Sequence, residues 1–305
     1  MGGFHLKKFV KILFIFIIGV LVLTQIHSYA SNFFNDGTKE IVFKSSNEEL
    51  TVHFIDVGQG DSILVQTPNG RTMLIDGGKK EAGEKVVSYL KSLDINEINV
   101  VVATHPDFDH IGGLIDVIDH FEIGQFINSG KDHTTETYEK LIEKIFIHNI
   151  PYVEVESGNS IVLDEDVSIK ILYADGDAEE TNDSSIVIHV QYGEVSFLLT
   201  GDATTNIEDE LISLYDLSST ILKAGHHGSN TSSSLDFLQA VQPDITILSY
   251  GEDNSFGHPH KQVLNNLNKI GTTIYSTAED GTIIISTDGL DYDIYKINGS
   301  RMIKK

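Results

Sequence analysis

Residues 104–113 read THPDFDHIGG and place His105, Asp107, Asp109 and His110 within six positions. Imidazole nitrogens and carboxylate oxygens this crowded compete with one another and contribute little to a core. Together they suit a divalent cation such as zinc, manganese or iron. In an extended segment His105 and Asp107 project to the same side, while Asp109 and His110 follow a bend and can face a second centre. Gly112-Gly113 lets backbone approach with no side chain in the way. A polar surface loop with capping aspartates is the ordinary alternative, and four potential ligands in six residues argue against it. Three more clusters follow along the chain. LLTGDAT (198–204) delivers Asp202 at the tip of an apolar run, where a plain helix N-cap accounts for it equally well. LKAGHHGSNTSSS (222–234) sets His226 and His227 between glycines, and FGHPHK (256–261) sets His258 and His260 around Pro259. A turn histidine beside proline explains the last pair as well as a site does.

Bringing these clusters together requires a framework of strands and helices. LTVHFIDV (50–57), DSILVQT (61–67) and RTMLIDG (71–77) read as consecutive strands, with Pro68-Asn69-Gly70 as the clearest turn. Residues 82–93 have helical spacing, with Val86, Val87, Leu90 and Leu93 on one face. INVVVAT (98–104) is wholly apolar and so predicts a strand buried on both faces. A helix is expected over 111–120, a second over 135–148, and others over 205–215, 233–241 and 260–270. Strands are expected near 151–156, 167–174, 185–191, 195–200, 220–224, 245–249, 272–276, 281–286 and 291–297. Buried strands interspersed with amphipathic helices indicate an α/β layered domain. The clusters at 105–110, 202 and 226–227 fall at strand ends, where such folds place their ligands.

The chain has 305 residues and no cysteine, which excludes disulfides, thiolate zinc sites, cysteine nucleophiles and lipidated cysteine anchors. Lys7, Lys8 and Lys11 precede the apolar run ILFIFIIGVLVL, and Ser28-Tyr29-Ala30 offers small residues for cleavage. Residues 1–30 therefore read as an export signal or, if uncleaved, a membrane anchor. Residues 31–47 read as a polar linker and 48–305 as one domain, either secreted or held at the outer face of the membrane. Lys and Arg number 21 against 45 Asp and Glu, a net charge of −24. Such a balance keeps a protein soluble and repels polyanions at long range.

In this order LIDGG (74–78), THPDFDHIGG, LTGD (199–202) and GHHGS (225–229) resemble the successive motifs of the metallo-β-lactamase superfamily. HFIDVGQGDSILVQTPNGRTMLIDGG (53–78), NDSSIVIHV (182–190) and GHHGS resemble, more narrowly, the hydrolase domain that ends the ComEC family of competence proteins. The resemblance runs from about 50 to 297 and implies an αββα sandwich with one or two divalent ions, zinc or manganese, at one edge. It implies that His105 and Asp107 hold a first ion, Asp109 and His110 a second, that Asp202 bridges them, and that His226 completes the set. Asp76 would organise the ligand loop from behind. A histidine expected some twenty residues before the bridging aspartate is replaced by the stretch around Asn182, which leaves the first site richer in oxygen. His227, Lys223, Asn182 and His260 are expected to support ligands or contact substrate, with His227 the less favoured ligand of its pair. Asp109 and His258 are the expected catalytic side chains.

The resemblance implies an exported phosphodiesterase or nuclease that acts on DNA through a metal-activated hydroxide. The acidic composition weighs against it, because nucleic-acid affinity comes largely from Lys and Arg on phosphates. Lys79, Lys80, Lys223 and Lys261 lie beside the motifs and could form a local basic rim. Cell-wall phosphodiesters, teichoic acid or phosphocholine among them, need less basic surface and are the second reading. A surface binding protein with a degenerate metal site is the third.

Overall fold

Short apolar runs form strands, and runs whose apolar residues recur every three or four positions form helices. A computed structural model describes residues 48–299 and 301–304; the expected export segment and linker lie outside them. The strands are β1 Leu50–Phe54, β2 Ile63–Gln66, β3 Thr72–Ile75, β4 Glu97–Val102, β5 Glu122–Asn128, β6 Tyr152–Glu154, β7 Ser168–Tyr173 and β8 Val187–Tyr192. Then come β9 Val195–Leu199, β10 Ile221–Lys223, β11 Ile245–Leu248, β12 Thr273–Ser276, β13 Thr282–Thr287, β14 Tyr292–Asn298 and β15 Arg301–Lys304. The helices are α1 Gly83–Ser92, α2 Phe108–Ile111, α3 Leu114–His120, α4 Glu136–Ile147, α5 Thr205–Leu214, α6 Leu235–Val241, α7 Lys261–Ile270 and α8 Thr277–Asp280.

The strands form two sheets, ordered β15-β14-β13-β1-β2-β3-β4-β5-β6 and β12-β11-β10-β9-β8-β7. Their facing sides share one apolar core that includes Val52, Phe54, Val102, Ile188, Phe197 and Ile247. Val86 and Leu90 of α1, Val117 of α3 and Leu141 of α4 cover the outer face of the larger sheet. Leu211 of α5, Phe237 of α6 and Leu267 of α7 cover the smaller one. The result is the expected αββα sandwich. β3 through β6 run parallel, as do β9 through β12. Asp76, His105, Asp202 and His226 each come just after one of these strands, and the Ile186 N–H donates to Thr104 C=O across the two sheets (2.9 Å).

One expectation needs correction, and three elements fall outside the expected set. The helix expected over 111–120 is broken into α2 and α3 at Gly112-Gly113. A Cβ on Gly113 would sit 2.0 Å from the Gly77 carbonyl oxygen, so the chain turns there against the β3 loop. The strand β5 was missed because its outer half is exposed and contains Gly124 and Gln125, which hide any apolar run. α8 and β15 were likewise not anticipated.

His53 lies in β1, wholly buried, and its Nδ1 shares a 2.7 Å hydrogen bond with the Tyr89 hydroxyl. Burial lowers its pKa from 6.5 to about 3, against the opposing effect of Gln66. The unfolded chain therefore binds a proton that the folded chain refuses, and stability falls as pH drops from 6.5 toward 3. Chemical denaturation at pH 7 and pH 5 should show the parent losing roughly 2 kcal/mol more than His53→Gln. Equal losses would contradict a neutral buried imidazole.

Candidate metal centre

The site is assembled on loops that the two sheets deliver to a common edge. β3 ends at Asp76, whose backbone is left-handed (φ 58°) and whose side chain is fully buried. Its Oδ1 accepts from the Thr104 N–H (2.8 Å) and its Oδ2 from the Thr104 hydroxyl (2.7 Å). The same Oδ2 lies 2.8 Å from His110 Nδ1, which turns His110 Nε2 into the centre. A carboxylate behind an imidazole in this way fixes its tautomer and raises its basicity toward a metal. Thr104 Oγ1 also reaches His105 Nδ1 (3.1 Å), so the ligand loop is held from β3 at two imidazoles.

The loop after β10 bends sharply, with His226 (φ 49°, ψ 47°) and His227 (φ 56°, ψ 21°) both left-handed. Two consecutive non-glycine residues in this region are unusual and cost roughly 1–3 kcal/mol each. The bend sends the two rings in different directions. His227 goes inward, 1% exposed, with Nδ1 2.9 Å from the Ser249 carbonyl oxygen. His226 is less buried and stands beside Asn182, with Asn182 Nδ2 3.4 Å from His226 Nδ1.

Four imidazole nitrogens converge on one carboxylate oxygen. Asp202 Oδ2 lies 3.2 Å from His110 Nε2, 3.3 Å from His227 Nε2, 3.7 Å from His226 Nε2 and 3.9 Å from His105 Nε2. Asp107 Oδ2 lies 3.6 Å from His105 Nε2, and Asp109 Oδ2 lies 3.7 Å from His227 Nε2. Asp61, His110, Asp202 and His227 each offer a ligand atom, and these atoms all lie within 4.8 Å of one another. Every expected ligand, His105, Asp107, Asp109, His110, Asp202 and His226, is therefore at one place.

His227 corrects the sequence reading. It was the less favoured ligand of its pair, yet its Nε2 lies 3.3 Å from His110 Nε2 among the buried donors, while His226 faces the Asn182 side. Adjacent histidines look alike in sequence, and only the left-handed bend decides which ring points inward. Lys223 corrects the basic rim. It is 0% exposed and pairs with Asp61, with its Nζ 3.0 Å from the Gly201 carbonyl oxygen and 3.9 Å from Asp202 Oδ1. It cannot meet a phosphate from solvent. Lys80 and Lys261 are exposed and Lys79 is partly so. His260 precedes α7, and its Nδ1 accepts from the Asn230 N–H (2.9 Å), which ties it to the His226 loop. Asp61 was not singled out from sequence; its one signal is a carboxylate after Gly-Gln-Gly at the start of an apolar strand. Gly60 beside it leaves a Cβ position 2.2 Å from the Asp109 carbonyl oxygen, so that loop and the ligand loop touch backbone to backbone.

The donor set fits a divalent ion. His105 Nε2, Asp61 Oδ1 and Asp202 Oδ1 are buried with no hydrogen-bond partner among the described residues. Buried polar atoms are normally satisfied; a cation would satisfy His105 Nε2 and Asp202 Oδ1, while Asp61 Oδ1 faces His227 Nδ1 at 3.5 Å. Electrostatics agrees. Burial alone would lower His227, yet the Asp202 and Asp61 carboxylates push it up to about 9. Burial likewise opposes protonation of His110, and Asp202 and Asp76 outweigh it and raise it well above the usual range. The site draws positive charge, which bound metal would supply in place of protons. His258, by contrast, is lowered to about 4 by burial and by the neighbouring His227 and His226.

Residues 55–252 match the Metallo-beta-lactamase superfamily. The chain belongs to that superfamily. It is 30% identical to ComE operon protein 3 of Bacillus subtilis over 267 residues, covering 79% of this chain and 34% of that protein. It is 28% identical to Recombination protein 2 of Haemophilus influenzae over 255 residues, covering 81% and 30%. The chain thus spans about a third of the length of these relatives. Among solved structures, the diiron beta-hydroxylase CmlA of Streptomyces venezuelae aligns with a TM-score of 0.53 at 14% identity, over 76% of this chain and 53% of CmlA. That likeness concerns the fold. The ComEC-like resemblance of the motifs and the reading of a superfamily hydrolase both hold at this level.

Two outcomes test the site. Asp76→Asn keeps the volume behind His110 but weakens its anchoring, so metal affinity by competition titration should fall about 10- to 100-fold. Lys223→Met leaves Asp61 buried without its cation and should cost about 3–5 kcal/mol in denaturant unfolding, most of it recovered when Asp61→Asn is added. A stable single variant would mean that the pair is not coupled.

Proposed function

We propose that this chain is a metal-dependent phosphodiesterase and that DNA is its substrate. The observation that carries the first part is the convergence of four imidazoles on Asp202 Oδ2 beside buried donors without partners. His110, His227, Asp109 and Asp202 would hold one ion; His105, Asp107, His226 and Asp202 would hold a second. In the second group His226 stands where the sequence has no earlier histidine to offer. When bound, zinc or manganese would lower the pKa of a coordinated water and offset charge on the reacting oxygens. Asp109, with its side chain 12% exposed, is placed to accept a hydrogen bond from the attacking water and orient it. His258 is positioned by Asn254, which accepts from its N–H (2.9 Å) and donates to its carbonyl oxygen (2.8 Å). Its ring lies 5.6 Å from that of His226, so it can hydrogen-bond a substrate oxygen beside the ions.

DNA as substrate is supported by the ComEC-like motifs and by a relative named for recombination. Export through residues 1–30, cleaved or retained as an anchor, rests on the sequence alone. Cell-wall phosphodiesters remain the second reading because of one observation. An open trough of about 640 Å³ beside the centre is lined by Asp107, Glu180 and Asp183 and by neither lysine nor arginine. No observation favours a binding protein with a dead site, since the donors for both ions are present.

Purified protein with Mn²⁺ or Zn²⁺ should cleave single-stranded DNA and bis-p-nitrophenyl phosphate, and Asp202→Ala should reduce both to the uncatalysed background. Cleavage of the small diester alone would move the substrate to the cell wall. Cleavage of neither by protein shown to hold metal would overturn the phosphodiesterase reading.

A further inference from the structure

Two exposed phenylalanines lie in the segments that carry the ligands and His258. Phe108 lies between Asp107 and Asp109 and is 50% exposed; Phe256 lies two residues before His258 and is 52% exposed. Single exposed apolar residues are ordinary on any surface, so exposure alone carries nothing. Placement and partners do. Phe108 belongs to the ligand loop of the larger sheet, and consecutive Cα atoms are only about 3.8 Å apart, so its ring starts from the backbone of two ligands. Phe256 belongs to the loop after β11 of the smaller sheet. Its ring stacks on His258 (centroids 5.5 Å, interplanar angle 21°), and the His258 ring lies 6.2 Å from that of His227. The two residues thus sit on loops that opposite sheets deliver to one edge.

Each ring is also held. Lys79 Nζ lies 5.3 Å from the Phe108 centroid and backs the ring while half of the residue stays open. The Lys79-Lys80 segment is pressed on the ligand loop, since a Cβ on Gly112 would fall 2.5 Å from the Lys80 nitrogen. Phe108 therefore has one face backed by an ammonium group and keeps half of its surface open to a flat, apolar partner such as a base. We propose that Phe108 and Phe256 are stacking platforms for unpaired bases on either side of the cleaved phosphodiester, so that the substrate is a single strand. The inference rests on the DNA reading above. It also answers the charge objection. A chain of net charge −24 gains little from long-range attraction to phosphate, whereas base stacking contributes whatever the net charge.

The test uses metal-loaded full-length protein and two oligonucleotides of equal length, one with bases and one with a run of abasic tetrahydrofuran sites. Phe108→Ala should lower kcat/KM on the base-bearing strand about tenfold more than on the abasic strand, with Phe108→Trp restoring the difference. Phe256→Ala should behave likewise. Binding by the parent between roughly 50 and 200 mM salt should weaken far less than the 10³–10⁵-fold expected of 6–10 phosphate contacts. Equal losses on both strands, no loss on either, or duplex cleaved as fast as single strand would overturn the platform. Cleavage of neither strand by the parent would remove the DNA reading, and the platform with it.

Discussion

One carboxylate oxygen organises the centre. Asp202 Oδ2 has four imidazole nitrogens between 3.2 and 3.9 Å away, drawn from loops on both sheets. Nothing in a protein core favours that gathering without positive charge at its middle, because each unpaired donor or acceptor there would cost desolvation without return. The surrounding architecture serves to hold it. Asp76 braces His110 from β3, Ser249 braces His227 from the end of β11, and the buried Lys223–Asp61 pair closes the floor. Left-handed backbone at Asp76, His226 and His227 turns three of these side chains at angles that regular strands cannot provide.

Much of this was legible in the sequence, and the reasons are specific. The ligand loop showed because four donor side chains fall within six residues after an all-apolar strand, and β4 ends where that pattern predicts. Asp202 alone was ambiguous with a helix cap; the structure resolves it, since Thr204 and not Asp202 occupies the N-cap of α5, and the Asp202 carboxylate faces the histidines. What stayed hidden depends on backbone direction or long-range pairing. The choice between His226 and His227 is set by two left-handed residues that no periodicity reports. Asp61 and Lys223 are 162 positions apart in sequence, and each looks like an ordinary surface charge until the fold buries them together. The split at Gly112-Gly113 follows from a close approach to the β3 loop, which a helical pattern over 111–120 does not foresee. β5 escaped because it is half exposed and interrupted by glycine.

Charge links the site to its surroundings. The chain is strongly acidic, and its one lysine inside the centre neutralises a carboxylate instead of facing solvent. A phosphodiester of the kind proposed would therefore be met mainly by bound cations and by neutral donors such as His258, whose pKa is lowered to about 4. The superfamily fold accommodates unrelated chemistries, as the hydroxylase CmlA shows by its name. Function has to be argued from these side chains and not from the sandwich that carries them.

The central claim is that metal sits against Asp202 between His110 and His227. Anomalous diffraction from crystals grown with Mn²⁺ or Zn²⁺, collected on both sides of the metal's absorption edge, tests it directly. Bound metal should give an edge-dependent peak within bonding distance of Asp202 Oδ2 and both imidazole Nε2 atoms, with a second peak on the His105 and His226 side when two ions bind. Fully formed density for these side chains with no such peak, in crystals whose solution binds metal, would contradict it.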